Sequence, residues 1–215
     1  MDDYFLNKAS NQIPKNLTTQ ILESENPMQF HKSLPSYKDT PLHILPGMAK
    51  KYGLGQIYIK DESCRLGLNA FKGLGASFAL SKILIQQPNS TVFCTATDGN
   101  HGKAVAWSAR LQNKKSVVFV PQNTSLERIQ SIEKEGATVI DTGENYDNTC
   151  QIPKEKANQN GWVLIQDTAW EGYEEIPAYI MAGYLTQFHE IEKQLESLKK
   201  IDLVMLQAGV GSWAA

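Results

Sequence analysis

Short apolar runs alternate with segments of helical periodicity along most of the chain. Runs rich in apolar and β-branched residues predict strands at 57–61, 91–96, 116–120, 138–141 and 162–165. Between them, apolar residues recur at helical spacing over 70–86, 101–111, 125–135 and 146–160. Strands that alternate with helices of this length are typical of βαβ units. The pattern therefore predicts an α/β protein with a parallel sheet covered by helices on both faces.

The two ends of the chain depart from this alternation. Residues 1–40 are polar, with prolines that interrupt weak helical patterns, and we expect an N-terminal arm packed on a neighbouring body. Towards the other end, a long helix is predicted over 174–198 and a last apolar strand over 203–206. That strand runs into the Gly-rich segment 207–212, a pattern that normally opens a helix whose backbone amides hold a phosphate. Because only three residues follow the segment, we expect a truncated chain.

Composition and charge narrow the class of function. The 215 residues, 41% of them hydrophobic, suffice for a core in one domain or two small ones. A net charge of -2 with scattered Lys and Arg residues disfavours nucleic-acid binding. The acidic start lacks a secretory signal, and no apolar run approaches the roughly 20 residues that span a bilayer. We therefore expect a soluble, cytoplasmic protein.

The cysteines and histidines predict neither a disulfide framework nor a metal site. Three cysteines, Cys64, Cys94 and Cys150, lie far apart and form no Cys-x-x-Cys pair. The histidines occur in unrelated contexts, and His101 has no ligand partner at metal-site spacing. Reduced, structural cysteines and no bound metal are therefore the expectation.

Lys72, between Phe71 and Gly73, is the first candidate for chemistry. A lysine in an apolar turn is poorly placed to be a solvated surface charge, and desolvation favours the neutral amine that forms Schiff bases. The natural partner of such an amine is an aldehyde cofactor. The structural alternative is a helix lysine whose aliphatic stem covers apolar surface while its amine reaches water.

A second motif, Thr-Asp-Gly-Asn-His-Gly at 97–102, follows a predicted strand and precedes a predicted helix. Ligands of open α/β sheets bind at this position. Gly99 and Gly102 allow the backbone to approach a ligand, Asn100 can hydrogen-bond a phenolate-type oxygen, and Asp98 brings a carboxylate. The alternative is a helix N-cap formed by Asp98 or Asn100, and the two interpretations are compatible.

A third motif, residues 166–173, begins where another predicted strand ends. It brings Asp167, Trp170 and Tyr173 to the same edge of the sheet and suits a substrate pocket. Alternatively, Asp167 caps a turn while the two aromatic rings pack in the core. The charged segment 60–62 is expected to be a solvated strand end.

In this order, the segments around Lys72, Asp98 to Gly102, Gln166 to Tyr173 and the terminal Gln-Ala-Gly-Val-Gly-Ser resemble the diaminopropionate ammonia-lyases. These are fold-type II pyridoxal-phosphate enzymes, the group of tryptophan synthase β and threonine dehydratase. The resemblance covers the chain from about residue 37 onward. The second motif usually reads Ser-x-Gly-Asn-His in the wider group, so carboxylates at Asp98 and Asp167 favour the lyase over a serine or threonine dehydratase.

The resemblance implies how pyridoxal 5'-phosphate would be held. Lys72 would be the Schiff-base lysine and, once displaced by the substrate amine, a base at Cα. Asn100 would hydrogen-bond the phenolic oxygen of the cofactor. The cofactor phosphate would be held by the backbone amides of Gly209, Val210, Gly211 and Ser212.

The resemblance also implies roles towards the substrate. Asp98 would be a second base on the face opposite Lys72, so that both D and L substrates react. Asp167 would contact the β-amino group or protonate it as it leaves. The expected reaction converts 2,3-diaminopropionate and water to pyruvate and two molecules of ammonia.

Three segments of the larger and smaller domains are expected from the resemblance. Residues 1–86 would be the arm and the first part of the larger domain, 87–200 the smaller domain, and 201–215 a strand and the phosphate loop. Enzymes of this group continue well beyond that loop and are expected to form homodimers. Three hypotheses remain open: an active lyase, a non-catalytic fragment of one, and a serine or threonine dehydratase.

Overall fold

The computed structural model describes residues 15–97, 99–195 and 201–214. Its helices are α1 (Leu17–Ser24), α2 (Pro27–Lys32), α3 (Pro46–Tyr52), α4 (Lys72–Gln86), α5 (Asn100–Leu111), α6 (Leu126–Glu133), α7 (Tyr146–Asn160) and α8 (Glu175–Gln194), with a 3-10 turn at Arg65–Gly67. Its strands are β1 (Leu42–Ile44), β2 (Tyr58–Lys60), β3 (Val92–Ala96), β4 (Lys115–Val120), β5 (Thr138–Asp141) and β6 (Val163–Leu164).

Four strands form a parallel sheet in the order β5-β4-β3-β6. Each connection between consecutive strands contains one helix, as parallel pairing requires. Because β3 and β6 are neighbours, the segments that follow them, from Thr97 and from Ile165, leave the sheet side by side. The predicted α/β class and the parallel sheet are therefore confirmed.

Helices cover both faces of the sheet. Side chains of β4 alternate between two clusters: Val117 and Phe119 pack with Ala157 of α7, whereas Val118 and Val120 pack with Ile132 of α6. The largest cluster lies where α4 and α8 pack beside α5. Both faces of β3 and β4 are thus buried, which explains their nearly continuous apolar sequences.

Helices α4 and α8 cross with their backbones in close contact. A Cβ atom on Gly183 would lie 2.6 Å from the carbonyl oxygen of Leu74, and one on Gly75 would lie 2.6 Å from the Tyr184 ring. Side chains larger than hydrogen would push the helices apart. Glycine at these positions therefore fixes α8 against the helix that begins at Lys72.

The described part of the N-terminal arm, residues 15–40, has more regular structure than its sequence suggests, since α1 and α2 form there and pack against α8. Two further elements had no sequence prediction: β1, which pairs antiparallel with β2, and α3 between them. Within the described residues, no helix combines the length and apolarity needed to cross a membrane.

The predicted strand at 203–206 is wrong. Residues 201–208 have no regular secondary structure, and Leu203, Val204 and Met205 are exposed. A strand requires a neighbour to accept and donate its backbone hydrogen bonds. No described strand pairs with this segment, so its apolar sequence alone does not make it a strand.

Candidate functional site

A cavity of about 240 Å³ opens where the segments after β3 and β6 leave the sheet. It is lined by Lys72, Ala96, Thr97, Asn100, His101, Tyr146, Asp167 and Val210. Lys72, Asn100, Asp167 and Val210, all singled out from the sequence, therefore meet here although they lie in four separate segments of the chain. A smaller cavity, of about 180 Å³ between α5 and α6, shares only Asn100 with it.

Lys72 is the first residue of α4, as its sequence context predicts. Its amine donates a hydrogen bond of 2.7 Å to Oδ2 of Asp167. The Lys72 side chain is 19% exposed and that of Asp167 is 7% exposed. The ammonium also lies over the rings of Phe71 and Tyr184, at 5.5 and 5.8 Å from their centroids. Lys72 thus faces the cavity beside two aromatic rings, and Asp167 is its carboxylate partner among the described residues.

Asp167 follows β6 and remains ionised despite its burial. Burial raises the pKa of this carboxyl, but the charge of His101 and the charge and hydrogen bond of Lys72 lower it by more. The net pKa of Asp167 therefore lies below its ordinary value. At neutral pH the cavity accordingly contains a fixed negative charge that a cation can bind.

His101 belongs to the site, although no sequence pattern predicts that it lies beside Asp167. Its Nε2 lies 2.8 Å from the carbonyl oxygen of Ile165 and must carry the proton, because a carbonyl only accepts. Its Nδ1 is buried, lies 3.8 Å from Oδ2 of Asp167, and has no hydrogen-bond partner among the described residues. The imidazole thus directs its second nitrogen at the Asp167 carboxylate.

The turn after β3 is shaped by close packing. Gly102 lies in the first turn of α5, where a Cβ atom would approach Cγ2 of Thr97 to 2.2 Å. Helix α5 can therefore begin directly above the strand only with glycine at this position. Asn100, the first residue of α5, is exposed at the cavity, and neither it nor Gly99 makes a side-chain cap. Asp98 lies outside the described residues.

The Gly-rich segment 209–212 reaches the same cavity through Val210. In the described part of the chain, the backbone amides of these four residues donate no hydrogen bond. Gly211 has a φ of 92°, which favours glycine. Oγ of Ser212 is buried and has no partner among the described residues. Unpaired amides and a buried hydroxyl are the donors that an anion such as a phosphate would satisfy.

The aromatic residues after Asp167 have a structural role. The rings of Trp170 and Tyr173 stack with centroids 4.1 Å apart and pack against the cluster beneath α7. The Tyr173 hydroxyl accepts a hydrogen bond from the amide of Gln166 and donates one to the carbonyl of Leu164. These rings therefore brace the Asp167 segment, which agrees with the core alternative for the aromatic pair.

Lys60 and Glu62 do not form a solvated strand end. The Lys60 amine lies 2.6 Å from Glu190 of α8, and Arg65 bridges Glu62 and Glu190 through its fully buried guanidinium. The expectation was wrong because the partner, Glu190, is more than 100 residues away in sequence. This Glu190 network anchors the loop that leads to Lys72.

Side-chain geometry adds no metal centre to the cavity. Among the described residues, no group of three or more His, Cys, Asp or Glu side chains is arranged to hold a metal ion. The chemically distinctive groups are therefore the Lys72–Asp167 pair, the His101 imidazole, and the unpaired donors of 209–212.

Comparison with known proteins connects this geometry to a family. Residues 34–215 match the family described as pyridoxal-phosphate dependent enzyme. The diaminopropionate ammonia-lyase of Salmonella typhimurium is 45% identical over 210 residues, which cover 87% of this chain and 52% of that protein. The chain spans about half the length of the curated ammonia-lyases it matches.

Solved structures of the Escherichia coli diaminopropionate ammonia-lyase share the fold. Its complex with an aminoacrylate-PLP azomethine reaction intermediate has a TM-score of 0.81 and 37% identity, covering 92% of this chain and 53% of that one. Its complex with D-serine has a TM-score of 0.81 and 36% identity, covering 92% and 54%. The fold-type II architecture is therefore confirmed, and the chain belongs to the pyridoxal-phosphate dependent enzyme family.

Proposed function

We propose that this chain binds pyridoxal 5'-phosphate through Lys72 and contributes to the elimination of ammonia from 2,3-diaminopropionate. The observation that carries the proposal is the Lys72–Asp167 contact of 2.7 Å at a cavity that Asn100 and Val210 also line. An amine that reacts with an aldehyde and a carboxylate that binds an ammonium are thereby next to each other. The similarity to diaminopropionate ammonia-lyases supports the assignment.

The residues present fit the cofactor at both of its ends. Lys72 offers the amine, and the side-chain amide of Asn100 can donate to a phenolic oxygen. The amides of 209–212 and the hydroxyl of Ser212 are buried or loop donors without partners in the described chain, which suits a phosphate. When bound, the cofactor supplies an aldehyde for amines and a ring that accepts the electron pair released at Cα.

Asp167 is proposed to exchange one cation for another. If Lys72 holds the cofactor, its nitrogen would no longer be the free ammonium that Asp167 binds in the structure. The β-ammonium of diaminopropionate can replace that charge and complete the ion pair again. The His101 imidazole, whose Nε2 is held by the carbonyl of Ile165, lies 3.8 Å from the carboxylate and helps to keep the pKa of Asp167 low.

The chemistry requires such a carboxylate because an amine leaves poorly unless it departs from its ammonium form. Asp167 would bind the β-nitrogen and keep it protonated, and the Lys72 amine, once displaced from the cofactor by the α-amine of the substrate, would accept the proton from Cα. The net reaction consumes one water and yields pyruvate and two molecules of ammonia. A hydroxyl leaving group gains less from the carboxylate, so the site favours diaminopropionate over serine.

The test is pyruvate formation from diaminopropionate and from serine, measured on the wild type and on Asp167→Asn. We expect the substitution to lower kcat/KM for diaminopropionate by about 10²-fold or more and to affect serine much less. Asp141→Asn, which changes an exposed carboxylate at the end of β5, is the matched control and should leave both rates unchanged.

Two outcomes would contradict the assignment. Equal wild-type rates for serine and diaminopropionate, with equal losses in Asp167→Asn, would favour a hydroxy-amino-acid dehydratase. A wild-type protein that binds the cofactor on Lys72 but turns over neither substrate would favour a non-catalytic role. The second outcome matters because this chain spans only about half the length of the curated ammonia-lyases it matches.

Asp98 is proposed, from the resemblance alone, to be the base for the D isomer, since the residue lies outside the described structure. Asp98→Asn should lower kcat/KM for D-diaminopropionate about 10²-fold and that for the L isomer by much less. Equal losses on the two isomers would contradict a two-base arrangement.

We further propose a cytoplasmic homodimer, on the basis of the family resemblance and the sequence. Sedimentation velocity of the purified chain tests the dimer, which predicts one species of twice the chain mass. A monomer at micromolar concentration would contradict it for this chain.

A further inference from the structure

Trp213, immediately after the Gly-rich segment 209–212, is anchored in the body of the protein. It packs against the largest apolar cluster, whereas Leu203, Val204 and Met205, earlier in the same segment, are exposed. A hydrogen bond from the amide of Ala214 to the carbonyl of Gly211 closes a turn around it. The segment is therefore fastened near its end, next to the residues that face the cavity.

The anchor has a polar partner on α8. The indole Nε1 of Trp213 donates a hydrogen bond of 3.0 Å to Oε1 of Gln187. Gln187 is 1% exposed, and its Nε2 has no partner among the described residues. A buried side-chain amide whose NH2 group makes no hydrogen bond is energetically unfavourable on a helix face that packs against the core. The indole contact is the described interaction that accounts for a glutamine at this position.

The same indole touches the residue next to the reactive lysine. The rings of Trp213 and Phe71 lie with centroids 4.9 Å apart, and Phe71 directly precedes Lys72. Phe71 in turn makes an edge contact with Tyr184 of α8 at 5.1 Å. Trp213 is thus bonded to α8 and packed against the start of α4 at the same time.

We propose that Trp213 and Gln187 are positioning residues that dock the 209–212 segment beside Lys72 and thereby determine how firmly a phosphate is held there. The inference rests on the proposed function, because the phosphate is that of the cofactor. A fixed distance between the segment and Lys72 suits a ligand whose aldehyde and phosphate are substituents of the same planar ring, because the distance between the two groups then varies little. Without the anchor, the donors of 209–212 would have to be ordered at each binding event.

The docking part is tested without cofactor by NMR of the indole N–H groups. Trp213→Phe identifies the Trp213 signal by its loss, and Gln187→Leu removes the acceptor. We expect the Trp213 indole proton to exchange with water about tenfold faster in Gln187→Leu than in the wild type. Trp162→Phe, which alters a ring of another cluster, is the matched control and should leave the signal unchanged. Unchanged exchange in Gln187→Leu would overturn the docking.

The phosphate part is tested by comparing two aldehydes, pyridoxal 5'-phosphate and pyridoxal. Gln187→Leu and Trp213→Phe should each weaken binding of the phosphorylated aldehyde about tenfold and that of pyridoxal less than about twofold. The double variant should be no worse than either single one. Equal losses for both aldehydes, or no loss, would overturn the proposal. If the wild type binds neither aldehyde, the proposed function is overturned instead. The rate of indole proton exchange would still test whether Trp213 and Gln187 dock the segment.

Discussion

Two lysine–carboxylate pairs in this protein differ in how many partners each carboxylate has. Glu190 is fully buried and accepts from Arg65 through both oxygens, from Lys60, from Tyr37 and from Thr40. Among the described residues, Asp167 has one close cationic partner, Lys72, and the His101 ring lies 3.8 Å away. Glu190 is thus surrounded by hydrogen-bond donors of the protein, whereas the Lys72–Asp167 pair faces a cavity.

This difference in the number of partners distinguishes a lysine–carboxylate pair that stabilises the fold from one that can take part in chemistry. Removing any one partner of Glu190 leaves several others, and the two charged partners, Arg65 and Lys60, cannot leave without separating buried opposite charges. Lys72 can leave Asp167, because a cation that enters the cavity can take its place. A carboxylate with a single exchangeable partner at a cavity is therefore the better candidate for chemistry than one with the larger network.

The strongest test of this contrast is the stability of two matched amide substitutions. Glu190→Gln should lower the free energy of unfolding by about 3–5 kcal/mol, because it leaves buried Arg65 and Lys60 without their shared counter-charge. Asp167→Asn should cost less than about 1 kcal/mol, since the Lys72 amine faces a cavity that water can enter. Urea unfolding measures both, and similar losses would contradict the distinction.

The pH dependence of stability provides a second test of the Glu190 network. Burial raises the pKa of Glu190, but its hydrogen bonds with Arg65, Lys60 and Tyr37 lower it to about 2. A carboxyl whose folded pKa is depressed stabilises the protein fully above its unfolded pKa, near 4.5, and loses that contribution as the pH falls towards 2.

The free-energy difference between the wild type and Glu190→Gln should therefore shrink by about 3 kcal/mol between pH 5 and pH 2. Urea titrations at each pH measure this difference directly. A difference that stays constant over the window would mean that Glu190 is not held ionised by the network.

Helix α4, which begins at Lys72, crosses helix α8, which carries Glu190. A substitution at this crossing should have a smaller effect on stability. Gly183→Ala should cost about 2 kcal/mol, because the new methyl group would lie 2.6 Å from the carbonyl oxygen of Leu74. Gly47→Ala in α3, where an added Cβ meets nothing within 4 Å, is the control and should be neutral or slightly stabilising. Equal thermal midpoints for the two variants would show that the crossing tolerates expansion.

The smallest effect is expected from Tyr37→Phe. The variant removes a hydrogen bond of 2.7 Å to Glu190 but leaves every charged partner of that carboxylate in place. The loss should be about 1 kcal/mol in urea unfolding. A loss as large as that of Glu190→Gln would mean that the network depends on each member and is not redundant.

Much of the fold could be predicted because its two central strands, β3 and β4, are buried on both faces. The apolar runs at β3 and β4 and the helical spacing of α5 and α7 identify elements within a few residues. The run at 203–206 is equally apolar but has no described partner strand. Local sequence thus predicts which segments can be strands, whereas pairing determines which of them are.

The candidate site was predicted in part for the same reason. The segments containing Lys72, Asn100 and Asp167 each lie at a boundary between elements, which sequence patterns mark well. The contact between His101 and Asp167 joins residues 66 positions apart, because β3 and β6 are neighbours in the sheet although β4 and β5 lie between them in sequence. Nothing in a single sequence fixes that strand order. The Glu190 network was missed for an equivalent reason.

The proposed function depends on Lys72, and not another lysine, being the reactive amine. The most direct measurement is borohydride reduction of the protein with pyridoxal 5'-phosphate, followed by mass mapping of the modified peptide. We expect one reduced adduct, on Lys72, that is absent from Lys72→Ala and retained in Lys51→Ala, a control that changes an exposed lysine of α3. An adduct on other lysines with Lys72 unmodified, in a folded protein, would contradict it.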